Sequence, residues 1–500
     1  MSKRHIKIAP TDNVAVAIDT LSKGEIVEID GVTTTLLADV EAGHKFALKD
    51  FVAGEQITKY GYSIGVARGE ISQGEKVDEK RVKTALSNDV EYSYTPTSCL
   101  TESIGESRCF DGYLRANGRV GIRNEVVVLP TVGCVNGCVT KIVERFKATV
   151  SDIKVDSIWA YTHNYGCSQL GDDHENTRKV LRDIVLHPNI GGVLVVGLGC
   201  ENNQIEAFEA FIKESGVELD PRRVKFMTSQ KVEDEVEEGL KLLGEIYDVV
   251  SQDQRTPCPI STLNIGLKCG GSDGFSGITA NPLLGRLSDY LIARGGSTIL
   301  TEVPEMFGAE QLLMNRCQTQ ELFKSCVDLI VDFKEYFISH NQPIYENPSP
   351  GNKAGGISTL EEKSLGCVQK SGNTPVRDVL AYGERLRTNG LTLLTAPGND
   401  LVASTALASA GCQMVLFTTG RGTPFGTFVP TMKISTNTKL SKMKSNWIDF
   451  NAGALLEDKT MEELLESFVE VVVEVASGKR CRNEINGYSE IAIFKQGVTL

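Results

Sequence analysis

A chain of 500 residues, 41% hydrophobic and 23% charged, is long enough for roughly two to four globular domains. Its net charge of -13 lacks the basic field of a nucleic-acid binder, so an anionic substrate would need a cationic pocket set against the overall charge. No apolar run reaches the ~18 residues of a membrane span, no h-region marks a secretory signal, and thirteen cysteines are too sparse for a disulfide scaffold, so a soluble cytoplasmic protein is expected.

Residues 1–90 carry short β-type runs at 14–18, 25–29 and 56–60, punctuated by Gly24, Gly31, Gly54, Gly61 and Gly74. That spacing predicts a small, turn-rich β domain. The polar stretch 91–108 reads as a linker. From 109 to 255 the pattern turns to α/β. A strand is expected at 125–129, then a helix with its stripe at Val135, Val139, Ile142, Val143 and Phe146. Further strands are expected at 157–162 and 193–198, the second leading into a helix with Ile205, Phe208, Phe211 and Ile212. After a proline-containing linker at 251–262, the C-terminal domain (256–500) resumes with strands at 263–268, 298–301, 391–395 and 414–418. The polar stretch 345–373 predicts a long loop, functional or mobile at that length. The fold class is α/β, a small β domain followed by two α/β domains with mostly parallel sheets.

Ligands of open parallel sheets gather beyond the carboxyl ends of the strands. Here those ends are rich in metal-type and acid–base side chains. Cys134 follows the first α/β strand, His163 and Cys167 the second, Cys200 and Glu201 the third; in the last domain Cys269 and Asp273 follow one strand and Glu302 another. The segment 163–174 adds Asp172, Asp173 and His174, a donor set that suits Fe(II), Mn(II) or Zn(II) without matching a zinc-finger spacing. The alternative is a solvent-facing His174 with Cys167 and Cys200 packed in the core. Gly197-Leu198-Gly199 lacks the third glycine of a dinucleotide fingerprint and falls on a late strand, which disfavours a nicotinamide oxidoreductase. The glycine-rich run 269–282 presents Ser272, Asp273, Ser276 and Asn281 in a form suited to an oxyanion or polyol. A second such run, 418–426, sets Arg421 between glycines, with Lys433 further on, as a fork for a carboxylate or as a surface arginine in a turn.

Read together, these segments resemble the altronate/galactarate dehydratase family. The matching stretches are GRVGIRN at 118–124, PTVGCVNG at 130–137, the run 165–174, VGLGCENN at 196–203, the run 269–282, EVPEMFGAE at 302–310, APGND at 396–400, TGRGTPFG at 419–426 and WIDFNAG at 447–453. DNVAVA at 12–17 and GHK at 43–45 extend the resemblance to the N-terminal domain. The resemblance implies an N-terminal β-clip domain of the SAF type and a requirement for Fe(II), with Mn(II) as a substitute; the cysteines taken by themselves leave an iron–sulfur cluster with an open iron as the alternative. It also implies elimination of water from a linear sugar acid such as D-altronate, giving a 2-keto-3-deoxy product. Galactarate is the rival substrate, and a sulfite-releasing lyase or a non-catalytic sugar-acid binder are further alternatives. One departure stands out. Where the family commonly carries Val-His-x-His-Asn after Gly74, this chain has Val77-Asp78-Glu79-Lys80-Arg81, which leaves His44 as the remaining histidine of the β domain beyond His5.

Dehydration of such an acid removes the C2 proton and expels the C3 hydroxyl, which calls for a Lewis acid on the carboxylate and a positioned acid and base. Under this reading His163, Cys167, Cys200 and Cys269 hold the metal, with Glu201 or Asp273 nearby. His174 is the base, His163, Asp273 and Glu302 are further catalytic candidates, and Arg421, Ser272, Asn281 and Lys433 bind the substrate. A small-molecule sugar acid is the expected partner, with no nucleic acid and no membrane. Enzymes of this size are often homo-oligomers.

Overall fold

The computed structural model describes residues 4–86, 91–99 and 108–498. In the N-terminal domain, Val14–Ala17 pairs with His5–Ile6 on one side and Lys45–Ala47 on the other, and Lys76–Val77 completes the sheet. Two hairpins, Ile26–Ile29 with Val32–Thr35 and Gln56–Lys59 with Tyr62–Ala67, each turn on two residues. These are Asp30-Gly31 and Tyr60-Gly61, all at positive φ, which is what a type I′ turn demands. This is the small, turn-rich β domain that glycine spacing and short β runs predicted.

Residues 91–99 lie along the C-terminal domain. Tyr92 donates to Glu310 (2.6 Å) and the Thr97 N–H to Asn315 O (2.8 Å). Part of the predicted linker, 100–107, falls outside the described residues. The strand Cys109–Leu114 pairs antiparallel with Thr256–Pro259, so the stretch read as a second linker contains a strand. That pairing clamps the entry and exit of the second domain together.

The second domain carries β1 (Glu125–Pro130), β2 (Ser157–Ala160), β3 (Ile190–Gly197) and β4 (Val224–Thr228), all parallel in the order β2-β1-β3-β4. Its helices are α1 (Asn136–Thr149), α2 (Gly171–Val185), α3 (Ile205–Lys213) and α4 (Glu235–Val250). Val126 and Val128 of β1 face α1 and α4, whereas Val127 and Leu129 join the main core. Both faces are apolar, as a covered parallel sheet requires.

The C-terminal domain carries β5 (Asn264–Cys269), β6 (Ser297–Leu300), β7 (Val376–Leu380), β8 (Leu391–Leu394), β9 (Met414–Thr419), β10 (Thr431–Ser435) and β11 (Phe450–Asn451). They form a seven-stranded parallel sheet ordered β7-β8-β6-β5-β9-β10-β11. Its principal helices are α5 (Ala280–Ile292), α6 (Gln320–Ser339), α7 (Leu360–Cys367), α8 (Asp400–Ser409) and α9 (Met461–Ala476). The chain leaves β5 for β6 on one side and crosses from β8 to β9 on the other. The strand order therefore reverses between β5 and β9, where a doubly wound sheet opens a crevice. The predicted long loop at 345–373 is largely structured, because it contains α7, whose eight residues are all buried.

α2 and α8 are in contact, and their C-terminal ends are pinned to one segment: Arg182 donates to Gly383 O (3.2 Å), Arg385 pairs with Asp183 (3.6 Å), and the Leu386 N–H donates to Ala410 O (2.9 Å). Arg182 lies eleven residues from the start of α2 and Ala410 ten from the start of α8. The two helices therefore run back over nearly equal lengths from a common C-terminal anchor to Gly171 and Asp400. Among the described residues, no helix is long and apolar enough to cross a membrane.

Candidate active site

Beyond the carboxyl ends of β5, β6, β8 and β9 lies a cleft of about 530 Å³, lined by Cys269, Glu305, Lys363, Asp400 and Arg421 among others. It is a concentrated buried charge cluster. Lys370 Nζ donates to Cys269 Sγ (2.8 Å), and that sulfur lies 2.9 Å from Glu305 Oε2 and 3.4 Å from Cys367 Sγ. Lys363 pairs with the other Glu305 oxygen (2.7 Å). Behind them Lys268 pairs with Glu302 and with Asp400 (2.8 Å), and Glu302 accepts from the Cys269 N–H (3.1 Å). Gly270 makes this possible, because a Cβ there would meet the Asp400 carboxylate at 2.6 Å. Glu302 itself sits at φ 69, a left-handed conformation costly for a non-glycine residue and held by these contacts.

The electrostatics follow from the pairing. The hydrogen bond with Cys367, together with the ammonium groups of Lys370 and Lys268, outweighs burial and brings the Cys269 thiol down to about 7. Burial alone would raise Glu305, but Lys363, Lys370 and Lys268 hold it well below the usual carboxylate range. The thiol of Cys367 is pushed up by its bond to Cys269 and by burial. Near neutral pH the cluster therefore combines a thiol at its titration point, an ionised carboxylate and protonated amines. Such a group can move protons.

Cys269, Glu305 and Cys367 also place their ligand atoms within 4.8 Å of one another, the one such triad among the described residues. In the structure these donors face ammonium groups, Lys370 at the Cys269 sulfur and Lys363 at Glu305 Oε1. Arg421 has a different position. It is exposed at the rim, donates to Gly351 O (3.3 Å), and makes no ion pair among the described residues.

Of the residues expected to hold the metal, four lie on neighbouring loops of the second domain and one in the C-terminal domain. Cys269 lies in the C-terminal domain, whereas His163, Cys167, Cys200 and Glu201 belong to the second. His163 is buried with both ring nitrogens engaged: Nε2–H donates to Pro130 O (2.8 Å) and Nδ1 accepts from the Tyr165 N–H (3.1 Å). Burial pushes its pKa down to about 4, so the ring is neutral and has no lone pair left for an ion. Glu201 caps its own loop, accepting from Thr131 (2.7 Å), the Leu198 N–H (2.9 Å) and the Gly199 N–H (2.5 Å). Cys167 and Cys200 are exposed, which replaces the alternative of core packing.

Of the expected catalytic and substrate-binding residues, Glu302 and Arg421 are at the C-terminal cleft. Asp273 is buried and accepts from Ser276, the Phe275 N–H, Thr436 and Asn437, so it locks the strand-end loops rather than facing a substrate. Asn281 is likewise spent, donating to Gly366 O (2.9 Å) and accepting from Thr418 (2.7 Å). Lys433 donates to Phe425 O and Thr431 O beneath the sheet edge, where burial lowers its pKa to about 8. Ser272 is buried with no partner for its hydroxyl. His174 lies in the first turn of α2, half-buried, with Nε2 unpartnered. Sequence reasoning did not single out Glu305, Lys363, Cys367, Lys370 or Asp400, although Glu305 and Asp400 lie inside the matching stretches 302–310 and 396–400.

Comparison with known proteins bears on this geometry. Residues 3–85 match the altronate/galactarate dehydratase SAF domain, 112–251 the D-galactarate dehydratase/altronate hydrolase second domain, and 260–499 the D-galactarate/altronate dehydratase C-terminal domain. The chain is 57% identical to an altronate dehydratase of Bacillus subtilis over all of both chains. It is 55% identical to an altronate dehydratase of Escherichia coli over 99% of this chain and 100% of that one. A galactarate dehydratase (L-threo-forming) of Escherichia coli is 33% identical over 98% and 96% of the two chains. The chain belongs to the altronate/galactarate dehydratase family.

Proposed function

We propose that this protein is a D-altronate dehydratase of the cytoplasm, a hydro-lyase of hexuronate breakdown that converts D-altronate to 2-dehydro-3-deoxy-D-gluconate. The observation that carries the reading is end-to-end similarity to altronate dehydratases, well above that to the galactarate enzyme. The cleft supports it chemically. Arg421 at the rim offers a planar fork for the substrate carboxylate, with the Lys363 ammonium behind it. Arg421, which makes no ion pair among the described residues, is the local cationic anchor that an acidic protein needs for an anionic substrate. Cys269, its sulfur bound by Lys370, takes the C2 proton, and the Lys370 ammonium or the Cys367 thiol returns one to the departing C3 hydroxyl. Bound Fe(II), which the family resemblance implies, would polarise the substrate carboxylate as a Lewis acid. Of the residues first expected to hold such an ion, His163 and Glu201 have their lone pairs engaged within their own loops.

The test is anaerobic turnover of D-altronate with Fe(II), detecting the 2-keto-3-deoxy product, with galactarate run alongside. Conversion of altronate in preference to galactarate is expected. Conversion of galactarate alone, or of neither acid by folded and metal-loaded protein, would overturn the reading. The second result would point to the Asp78–Arg81 replacement as a change of substrate.

A further inference from the structure

Cysteine is among the most commonly buried residue types, yet four of the thirteen thiols are exposed. Three of those four, Cys134, Cys167 and Cys200, stand on the loops that leave β1, β2 and β3, three adjacent strands of one sheet. The loops are tied to one another beside each cysteine. The Gly133 N–H donates to Tyr165 O (2.9 Å), the Asn203 N–H to Gly166 O (3.2 Å), the Ser168 N–H to Asn202 Oδ1 (2.8 Å), and Asn136 Nδ2 to His163 O (2.7 Å). Gly133 and Gly166 permit the close approach, since a Cβ would meet His163 O at 2.9 Å and Thr131 O at 2.1 Å. The buried His163 and Glu201, fully hydrogen-bonded within these loops, form the base beneath them.

This is a rigid platform that presents three thiols outward. As placed, their sulfurs are not among the described groups whose ligand atoms all lie within 4.8 Å of one another. Three soft thiolates exposed on adjacent, mutually tied loops suit a polynuclear iron–sulfur centre. Cys138, one turn along α1, packs toward the α1–α4 core and so does not complete a set of four.

We propose that Cys134, Cys167 and Cys200 bind a [4Fe–4S]-type cluster through three of its irons, leaving the fourth open to an external oxygen ligand. The platform lies at the carboxyl edge of its sheet; α2, with His174 and its unpartnered Nε2 in the first turn, packs against α8, which begins at Asp400 of the C-terminal cleft. That the open iron meets the sugar acid rests on the function proposed above; the cysteine ligation does not.

The experiment compares the full-length wild type with C134S, C167S, C200S and, as the remaining exposed thiol, C109S. Each is reconstituted anaerobically with ferrous iron and sulfide, and iron, acid-labile sulfide, visible absorption and Mössbauer spectra are recorded. Wild type and C109S should carry about four irons and four sulfides per chain. Each of the other three should lose most of both, with circular dichroism and thermal midpoint of the metal-free chain unchanged. Iron without labile sulfide, or a cluster retained in all three variants, overturns the proposal. Altronate turnover is measured on the same samples. A cluster that forms on these cysteines in a protein inactive on altronate supports the ligation and overturns the functional reading instead.

Discussion

Lys370 and Cys269 meet at 2.8 Å, and the consequence of that contact for the thiol can be measured. Under the proposed mechanism C269S lowers kcat by about 10²–10⁴-fold with a much smaller change in KM. The acid limb of kcat/KM, set near 7 by Cys269, shifts upward in Lys370→Met, because removing the ammonium disfavours the thiolate. An unmoved limb would take Cys269 out of proton transfer. His163 yields a prediction of another kind. Its folded pKa of about 4 lies below the unfolded value near 6.5, so between those limits the unfolded chain binds the extra proton. Stability is full above that window and falls as pH drops through it, by about 1.4 kcal/mol per pH unit for this one group. His163→Gln should flatten the slope by that amount in urea unfolding run from pH 7 to 4. The comparison must be between the two proteins, since the buried His187 titrates through part of the same range. An equal slope in both would refute the assignment. His163 and Glu201 also show what a sequence hides at this scale. Their types are right for metal binding, but nothing in the pattern reveals that Pro130, Tyr165, Thr131 and Gly199 already use their lone pairs.

At the scale of elements, the legible strands were the uninterrupted apolar runs such as β1, β3 and β9. β4, β7 and β10 carry polar or charged residues within short segments (VKFMT, VRDVL, TMKIS) and escaped notice. α7 was hidden for the opposite reason. A helix buried on every side has no polar face and hence no 3.6-residue stripe, and LEEKSLGC places its charges inside because each meets a partner. Glu362 accepts from both Lys45 and Lys59 of the SAF domain (2.8 Å each), and those two lysines outweigh burial and hold its carboxyl down at about 2. Breaking a buried ion pair from one side leaves uncompensated charge. Glu362→Leu should therefore cost about 3–5 kcal/mol, read as a lower urea midpoint. Gly274→Ala attacks the same docking sterically, because its Cβ would lie 1.9 Å from Gly43 O. A loss of about 1–3 kcal/mol is expected from overpacking there. If neither variant shifts the midpoint, the SAF domain is not docked as described.

The whole molecule behaves as one body if its core is continuous, and here a single cluster of buried side chains runs from Val14 through Val127 and Leu267 to Phe494, through all three domains. Sequence reading divided the chain by composition and could not see this continuity, since the contacts join residues hundreds of positions apart. Two further ties cross the second and C-terminal domains. The buried Arg123 guanidinium donates to Val475 O (2.8 Å), Lys479 O (2.9 Å) and both oxygens of Glu484, and the backbone N–H groups of Gln496 and Gly497 donate to Asp173. Chains of 500 residues commonly unfold domain by domain. A shared core argues for coupled unfolding instead. The two tryptophans are placed to decide the matter, with Trp159 on β2 of the second domain and Trp447 in the C-terminal domain. In W447F the remaining fluorescence reports the second domain, and in W159F it reports the C-terminal one. Both should give the same denaturant midpoint, coincident with far-UV circular dichroism. Adding Arg123→Met should cost about 3–5 kcal/mol, because it strips five hydrogen bonds, four of them between the domains, and leaves Glu484 facing an apolar side chain. It should also separate the midpoints, with Trp159 reporting the earlier transition. Two distinct midpoints before Arg123 is touched would mean that the shared core does not couple the domains.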